Sequence, residues 1–535
     1  MNHLPHPDTP APSALDINLI ERVCVGDIVQ RSADVHPDRI AIVDGERQVS
    51  YAQFNLLVNR LGHALLGLGL QHQDIVALAA RNSVELLVTY FACARAGLIC
   101  MPINLGLRAS EIAFCLNNAK ARVLIAEQAL RELIQPALAE RPPELQHVFW
   151  FGGATVPAAE DFDALLAAGG TDALEVWVGD RDTVQLLYTS GTTANPKGAL
   201  TSHLAVTMAG LSGAIASQSG PDSTALVALP LFHCAMLNSV AIPLLITGSK
   251  LVLAKGFDAA LAARLIDQHQ VTFTVLLPMM YGLWLSDPAY KGRTFPSMKR
   301  AMYAMAPMPH DRLQAIHDMF PNADVVLGSG QTEFTPATCM QRPEHQWSKS
   351  ATWGTATAMT RVAIMGEDGR LLPRGETGEI VYRGPQGMTG YLNQPEETRQ
   401  SFRGGWFHSG DVAHIDEDGA IWFKDRSKDV IKSGGENVTS IEVERCLMQH
   451  PAVAEAAVVG APHEHWGEAV VASVVLAPGQ SAGEAALIEH CREHLGSFKV
   501  PKAIVIATEF PRTGTGKIQK HLIRAKVREM FSSKA

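Results

Sequence analysis

Two stretches of this sequence gather residues able to handle a phosphate. In YTSGTTANPKGAL, residues 188–200, Thr189, Ser190, Thr192 and Thr193 offer hydroxyl donors. Gly191 lets backbone amides approach closely, and Lys197 adds a positive charge behind a proline. Such a set suits an anionic oxyacid; the competing reading is a Ser/Thr-rich surface turn. No GK[ST] follows, so this is not a Walker loop. In LGSGQTEF, residues 327–334, Thr332 could bond a phosphate, and Glu333 is a hard oxygen ligand suited to a magnesium ion bridging phosphates.

Two further stretches add an acid and a base. In WFHSGDVA, Asp411 follows a glycine turn and could accept hydrogen bonds from ribose hydroxyls. In PRTGTGKIQKHL, Lys517 stands at the tip of a Gly/Thr loop opening a helix. Taken singly, each is equally a polar loop, a surface acid or a solvated lysine.

Their order says more. YTSGTTANPKG, GSGQTE, the GD of Gly410 and Asp411, the DR of Asp425 and Arg426, and GKIQK follow one another as in the adenylate-forming superfamily. The chain resembles that superfamily of acyl-CoA synthetases, luciferases and peptide-synthetase adenylation domains over nearly its whole length. The resemblance implies a large N-terminal domain for ATP and a carboxylic acid, and a small C-terminal domain that rotates between two half-reactions. It places Thr189, Ser190, Gly191, Thr192, Thr193 and Lys197 on the β- and γ-phosphates, with Gly330 and Gln331 also on the nucleotide. Thr332 and Glu333 then serve the α-phosphate and Mg²⁺, Asp411 and Arg426 the ribose. Asp425 becomes the hinge and Lys517 the catalytic lysine. Gly434, Gly435 and Glu436 border the path of coenzyme A.

LFHCAMLNSV resembles an element of 4-coumarate-CoA ligases, which implies that His233 lies near the carboxylate and Asn238 lines the acyl pocket; a capping or core-polar role for Asn238 is the other reading. Met302, Ala304, Met305 and Gly328 complete that pocket. It is apolar, with no charge for a second carboxylate, so an aromatic or medium-chain monocarboxylic acid is expected. The sequence departs from the family pattern at Ala194, where glycine is usual, and at Ser329, where an aromatic residue usually packs on adenine.

These residues need strand ends to present them. From about residue 50, helical spacing in YAQFNLLVNRLGHALLGLG and SVELLVTYFACARAG alternates with short apolar runs, DIVALAA, ARVLIA, TALVALP, KLVLA, VTFTVLL and ADVVLG. That alternation predicts an α/β fold of parallel-rich sheets covered by helices. Turn-rich pieces between residues 375 and 421 predict a distorted β part. After it a compact pattern, SIEVERCLMQH to KIQKHLIRAKVREMF, predicts a small mobile α+β domain. The expected layout is a disordered arm 1–16, an N-terminal domain 17–424, a hinge 425–428 within a charged linker beginning at Lys424, and a C-terminal domain 429–535.

Composition excludes several classes. Of 535 residues 47% are hydrophobic, and the net charge of −9 argues against a nucleic-acid partner. The eight cysteines are scattered without a CxxC pair, which suits buried thiols in a reducing compartment and not a disulfide framework or a zinc site, and the polar, Pro-rich start lacks an apolar signal core. A cytoplasmic protein follows. The run LLVTYFACARAGLICMPI is broken by Arg95, Gly97 and Pro102, which suits a core helix and strand better than a membrane span. HEHWGE lacks zinc-site spacing, and the basic final helix reads as a solvated face. The expected activity is an AMP-forming acid–thiol ligase using ATP, Mg²⁺ and coenzyme A. Rivals are delivery to a carrier protein, for which no carrier-like domain follows Lys517, and a non-catalytic ATP-binding scaffold. Assembly as a homodimer stays open.

Overall fold

A computed structural model describes residues 11–140, 142–153, 160–189, 196–304, 307–433, 436–463, 466–513 and 517–532. The chain divides into two compact units. The first takes the described residues up to 189, then 196–361 and 383–400; the second takes 362–382 and those from 401 onward.

The first unit holds two large sheets. In one, the strands Asp324–Ser329, Arg300–Ala304, Phe273–Leu276, Thr224–Val227, Lys250–Leu253 and Ile40–Asp44 lie side by side in parallel. In the other, Thr183–Thr189, Ile99–Pro102, Ile75–Ala79, Val123–Glu127, His147–Phe151 and Glu160–Asp161 do the same. Both sheets carry antiparallel strands at an edge. Ile75–Ala79 and Val123–Glu127 are buried at every residue, because a parallel strand with helices on both faces has no solvent side. Hydroxyl caps start the covering helices: Ser50 with Gln53 for Tyr51–Gly67, Ser83 for Val84–Arg95, and Ser202 for His203–Ser217.

The long apolar run is indeed a core helix, Val84–Arg95, and a strand, Ile99–Pro102. Arg95, which interrupts the run, is buried but donates to Asn55 Oδ1, Asn59 Oδ1 and Gly26 O at 2.6–2.8 Å. Burial lowers its pKa to about 10, so it stays charged at neutral pH. No helix among the described residues is long and apolar enough to cross a membrane.

The second unit begins with a four-stranded sheet that includes Gly378–Arg383, Phe407–Ile415 and Ile421–Arg426. It continues into a five-stranded sheet built around Val453–His463 and Gly467–Leu476. Period-two alternation gives that sheet two cores. Ala456 and Val458 pack with the helices Ser440–Met448 and Glu484–His494, while Ala457, Val459 and Ala461 pack with Phe510, Ile523 and Val527. The last two residues lie on the helix Lys520–Ser532.

Two expectations need correction. The arm set at 1–16 is too long: Ser13 Oγ accepts from Asp16 N at 3.1 Å and Asp16 Oδ2 from Ser13 N at 2.7 Å, a capping box that starts the helix Ala14–Glu21. The linker expected from Lys424 begins inside a strand, since Lys424, Asp425 and Arg426 close the strand Ile421–Arg426. Pairing of that strand with Phe407–Ile415 keeps residues 401–424 in the second unit.

Candidate active site

In the first unit, the strands Thr183–Thr189 and Lys197–Ser202 form an antiparallel hairpin in which Thr189 faces Lys197. Thr189 Oγ1 donates to Lys197 O at 3.4 Å. Ser190, Gly191, Thr192, Thr193 and Ala194, which the sequence placed on phosphate or flagged, lie outside the described residues, as do Met305, Gly434 and Gly435.

A third strand, Gly390–Tyr391, pairs with Lys197–Ser202, so that Tyr391 opposes Ala199. Backbone bonds flank it, Thr389 N to Leu200 O and Leu392 N to Gly198 O, both 2.8 Å. Lys197 Nζ sits 5.4 Å from the centre of the Tyr391 ring, in cation–π range. The Tyr391 hydroxyl donates to Glu333 Oε1 at 3.0 Å, and Met388 N donates to Glu333 O at 2.9 Å. The segment 388–392 therefore ties the lysine end of the hairpin to the proposed metal ligand. Sequence reading missed Tyr391; the only signal was an aromatic residue after glycine.

The strand Asp324–Ser329 brings Gly330, Gln331, Thr332 and Glu333 to the carboxyl edge of its sheet, where α/β folds bind ligands. Gly330 is required there: a Cβ would stand 2.7 Å from Pro336 Cβ and 3.1 Å from Thr338 N. Thr332 Oγ1 lies 3.1 Å from Cys234 Sγ, which joins this turn to the element that begins at His233. His233 Nδ1 accepts from Ala235 N at 3.1 Å and so caps the helical stretch that follows.

Asn238 lies in a π-helical turn, Leu237–Ala241, fully buried. Its amide exchanges two bonds with Gln185, at 3.1 and 3.2 Å, and Gln185 also accepts from the Tyr90 hydroxyl at 2.8 Å. Met302, Ala304 and Gly328 lie on adjacent parallel strands; Ala304 faces Gly328, and a Cβ on Gly328 would stand 3.0 Å from Met302 Cε.

In the second unit, Asp411 opposes Arg426 across the strand pair, with Arg426 Nε 3.3 Å from Asp411 Oδ1. Asp411 is buried, and Arg426 is half exposed. Asp425 is buried: its Oδ2 accepts from Ser440 N at 2.5 Å and its Oδ1 from Arg426 N at 2.8 Å. Burial raises its pKa, and the nearby Lys520 opposes the rise. Lys520 Nζ in turn bonds Ser440 Oγ at 2.7 Å and pairs with Glu444 Oε1 at 2.6 Å. That network was also missed by sequence reading.

Lys517 is exposed beside residues 514–516, which lie outside the described residues. Backbone and hydroxyl bonds fix its base: Thr513 N donates to Lys517 O at 2.8 Å, and Lys517 N to Thr513 Oγ1 at 3.1 Å. Glu436 is exposed in the strand Glu436–Val438, paired with Ser433.

The site residues thus fall into two sets. One unit joins Thr189, Lys197, Thr332 and Glu333 with His233; the other holds Asp411, Asp425, Arg426, Glu436 and Lys517. The first set is rich in hydroxyls and carries one ammonium and one carboxylate, a composition suited to phosphate with a hard cation.

Comparison with known proteins agrees with that chemistry. The AMP-binding enzyme family matches residues 29–392, and the AMP-binding enzyme C-terminal domain matches residues 442–517. A feruloyl-CoA synthase of Amycolatopsis sp is 35% identical over 92% of this chain and 97% of its own. An indoleacetate–CoA ligase of Aromatoleum aromaticum is 34% identical over 93% and 96%. The crystal structure of an anthranilate CoA ligase in complex with anthranoyl-AMP superposes with a TM-score of 0.87 at 27% identity, over 95% of this chain and 98% of that one. The chain belongs to the AMP-binding enzyme family, among the AMP-forming acyl-CoA synthetases of the adenylate-forming superfamily.

Proposed function

We propose that this enzyme joins the AMP part of ATP to a monocarboxylic acid, aromatic or medium-chain, with release of pyrophosphate, and then transfers the acyl group to coenzyme A with release of AMP. A carboxylate oxygen attacks the α-phosphorus and the bond to pyrophosphate breaks. The thiol sulfur next attacks the acyl carbon, the bond to AMP breaks, and the thiol proton passes to solvent. The adenylate is needed because a free carboxylate would have to expel oxide or hydroxide.

The observation that carries the reading is the Lys197–Tyr391–Glu333 connection, with Thr332 one residue away. In this reading Thr189, Lys197 and residues 190–193 hold the β- and γ-phosphates, and Gly330, Gln331 and Thr332 hold the α-phosphate side. Glu333 fits a magnesium ion: it is a hard carboxylate whose Oε1 is already oriented by a phenol. Such an ion supplies positive charge against the phosphate oxygens. Asp411 and Arg426 take the ribose hydroxyls. Lys517 contributes a point charge between the carboxylate and the α-phosphate. His233 orients the acid, and Glu436, with Gly434 and Gly435, borders the thiol's approach.

The hinge of this reading is at 425–428, inside the second unit, where the strand Ile421–Arg426 ends. The described chain passes between the units at 361/362, 382/383 and 400/401 and stays in the second unit from residue 401 onward. Rotation about a single covalent link needs few backbone torsions to change. The feruloyl, indoleacetate and anthranilate relatives favour an aryl acid, with Met302, Ala304, Met305, Gly328 and Asn238 around it. Eight buried, unbridged cysteines support a cytoplasmic location.

The test is a panel of aryl and aliphatic acids assayed for pyrophosphate release with and without coenzyme A. Acid-dependent pyrophosphate release without coenzyme A, followed by thioester and AMP once it is added, is the expected result. Adenylate that never becomes thioester would point to a carrier protein. ATP binding without turnover on any acid would overturn the reading.

A further inference from the structure

Away from these residues, three side chains with soft or borderline ligand atoms meet on one face of the second unit. Cys446 lies on the helix Ser440–Met448, and His490 and His494 lie on the helix Glu484–His494. One ligand atom from each lies within 4.8 Å of those from the other two. The two histidines are four residues apart, so a helix presents both on the same side. Their rings stand 4.5 Å apart.

The surroundings of the rings resemble those of metal ligands. His490 Nε2 bonds Cys446 O at 2.9 Å, and His494 Nδ1 bonds His490 O at 2.8 Å. A ring nitrogen that donates to a carbonyl fixes the tautomer and leaves the other nitrogen with its lone pair. The Cys446 thiol is buried, His490 is half-buried and His494 exposed, so the cluster opens to solvent at one end. His450 stands beside it, its ring 5.3 Å from that of His490. One sulfur and two imidazoles suit zinc, with His450 or water as a fourth ligand. The cluster belongs to the core opposite the one that takes Ile518, Ile523 and Val527, hence to the far side of the sheet from the segment after Lys517.

We propose that Cys446, His490 and His494 form a zinc-binding site that clamps the helices Ser440–Met448 and Glu484–His494 together. Binding forms one S–metal and two N–metal bonds and releases the thiol proton to solvent.

The full-length protein, stripped with a chelator, is titrated with Co²⁺ as an optical reporter and then with Zn²⁺ in competition. One equivalent of Co²⁺ should give a thiolate-to-cobalt charge-transfer band, and Zn²⁺ should abolish it. Cys446→Ser should lose the band, whereas Cys491→Ser should keep it. His494→Ala, at an exposed position that leaves folding intact, should weaken binding by more than about tenfold, a loss that even outer-shell partners of such sites produce. Zn²⁺ should also raise the Tm of the parent protein but not that of His494→Ala. A missing charge-transfer band, or a band unchanged in Cys446→Ser and His494→Ala, would overturn the proposal.

Discussion

Tyr391 donates its hydroxyl to Glu333 at 3.0 Å although the two residues lie 58 positions apart, and the same ring lies under Lys197. Sheet pairing makes this contact, since the short strand that carries Tyr391 is held edge to edge against the lysine strand. The tyrosine touches both the charge assigned to phosphate and the carboxylate assigned to magnesium.

Removal of that hydroxyl should therefore show first in the metal dependence. Tyr391→Phe keeps the ring over Lys197 and frees Glu333. Half-maximal pyrophosphate release should then need roughly 10- to 100-fold more Mg²⁺, as when outer-shell partners of metal ligands are lost. An unchanged Mg²⁺ requirement would show that Tyr391 only packs.

Lys517→Ala separates the two half-reactions. Adenylate formation should fall by about 10² to 10³, while thioester formation from supplied acyl-adenylate should stay near the parent rate. Rapid-quench measurement of each step decides it; equal losses in both would remove Lys517 from its proposed role.

Met302 tests the acyl pocket. It is buried on the strand beside Gly328, and no charged group is part of that pair. Met302→Ala should shift kcat/KM toward bulkier acids by about 10- to 200-fold relative to small ones, the range that apolar pocket contacts supply. A uniform loss across the acid panel would mean that Met302 supports the sheet and does not line the pocket.

His203 sets an acid limit on stability. Its Nδ1 accepts from Val25 N at 3.1 Å, and burial drives its pKa down to about 3. The unfolded chain takes up that proton near pH ~6.5, so the stabilisation is complete above this point and declines as pH falls toward the folded value. The slope is about 1.4 kcal/mol per pH unit. His203→Asn keeps an acceptor for Val25 N and removes the titration. Its Tm should drop less than the parent's between neutral and mildly acid pH; parallel drops would refute the assignment.

What the sequence revealed follows from what is local in it. IVALA and VLIA read as strands because each is a short apolar run between helical stretches, and SVELLVTYFACARAG reads as a helix from its apolar spacing. The YTSGTTANPKG, GSGQTE and GKIQK runs stood out because each is continuous in the sequence, and their order led to the family. Tyr391, the Cys234–Thr332 contact and the Lys520–Glu444–Asp425 network did not, because each joins segments that meet only in the folded sheet. The capping box at Ser13 was local but hidden beside a proline-rich start. Asn238 shows the same limit: nothing near it in sequence announces that its amide pairs with Gln185, 53 residues away.

The double-cored sheet of the second unit bears on how a lysine-deficient enzyme should be made. Val459 and Val471 are sheltered with Phe510, Ile523 and Val527, and the latter two come from the final helix. A protein clipped ahead of residue 517 would lose its amine together with this greasy cover. Precipitation of such a fragment would then be mistaken for a chemical defect, so a point substitution is the cleaner probe.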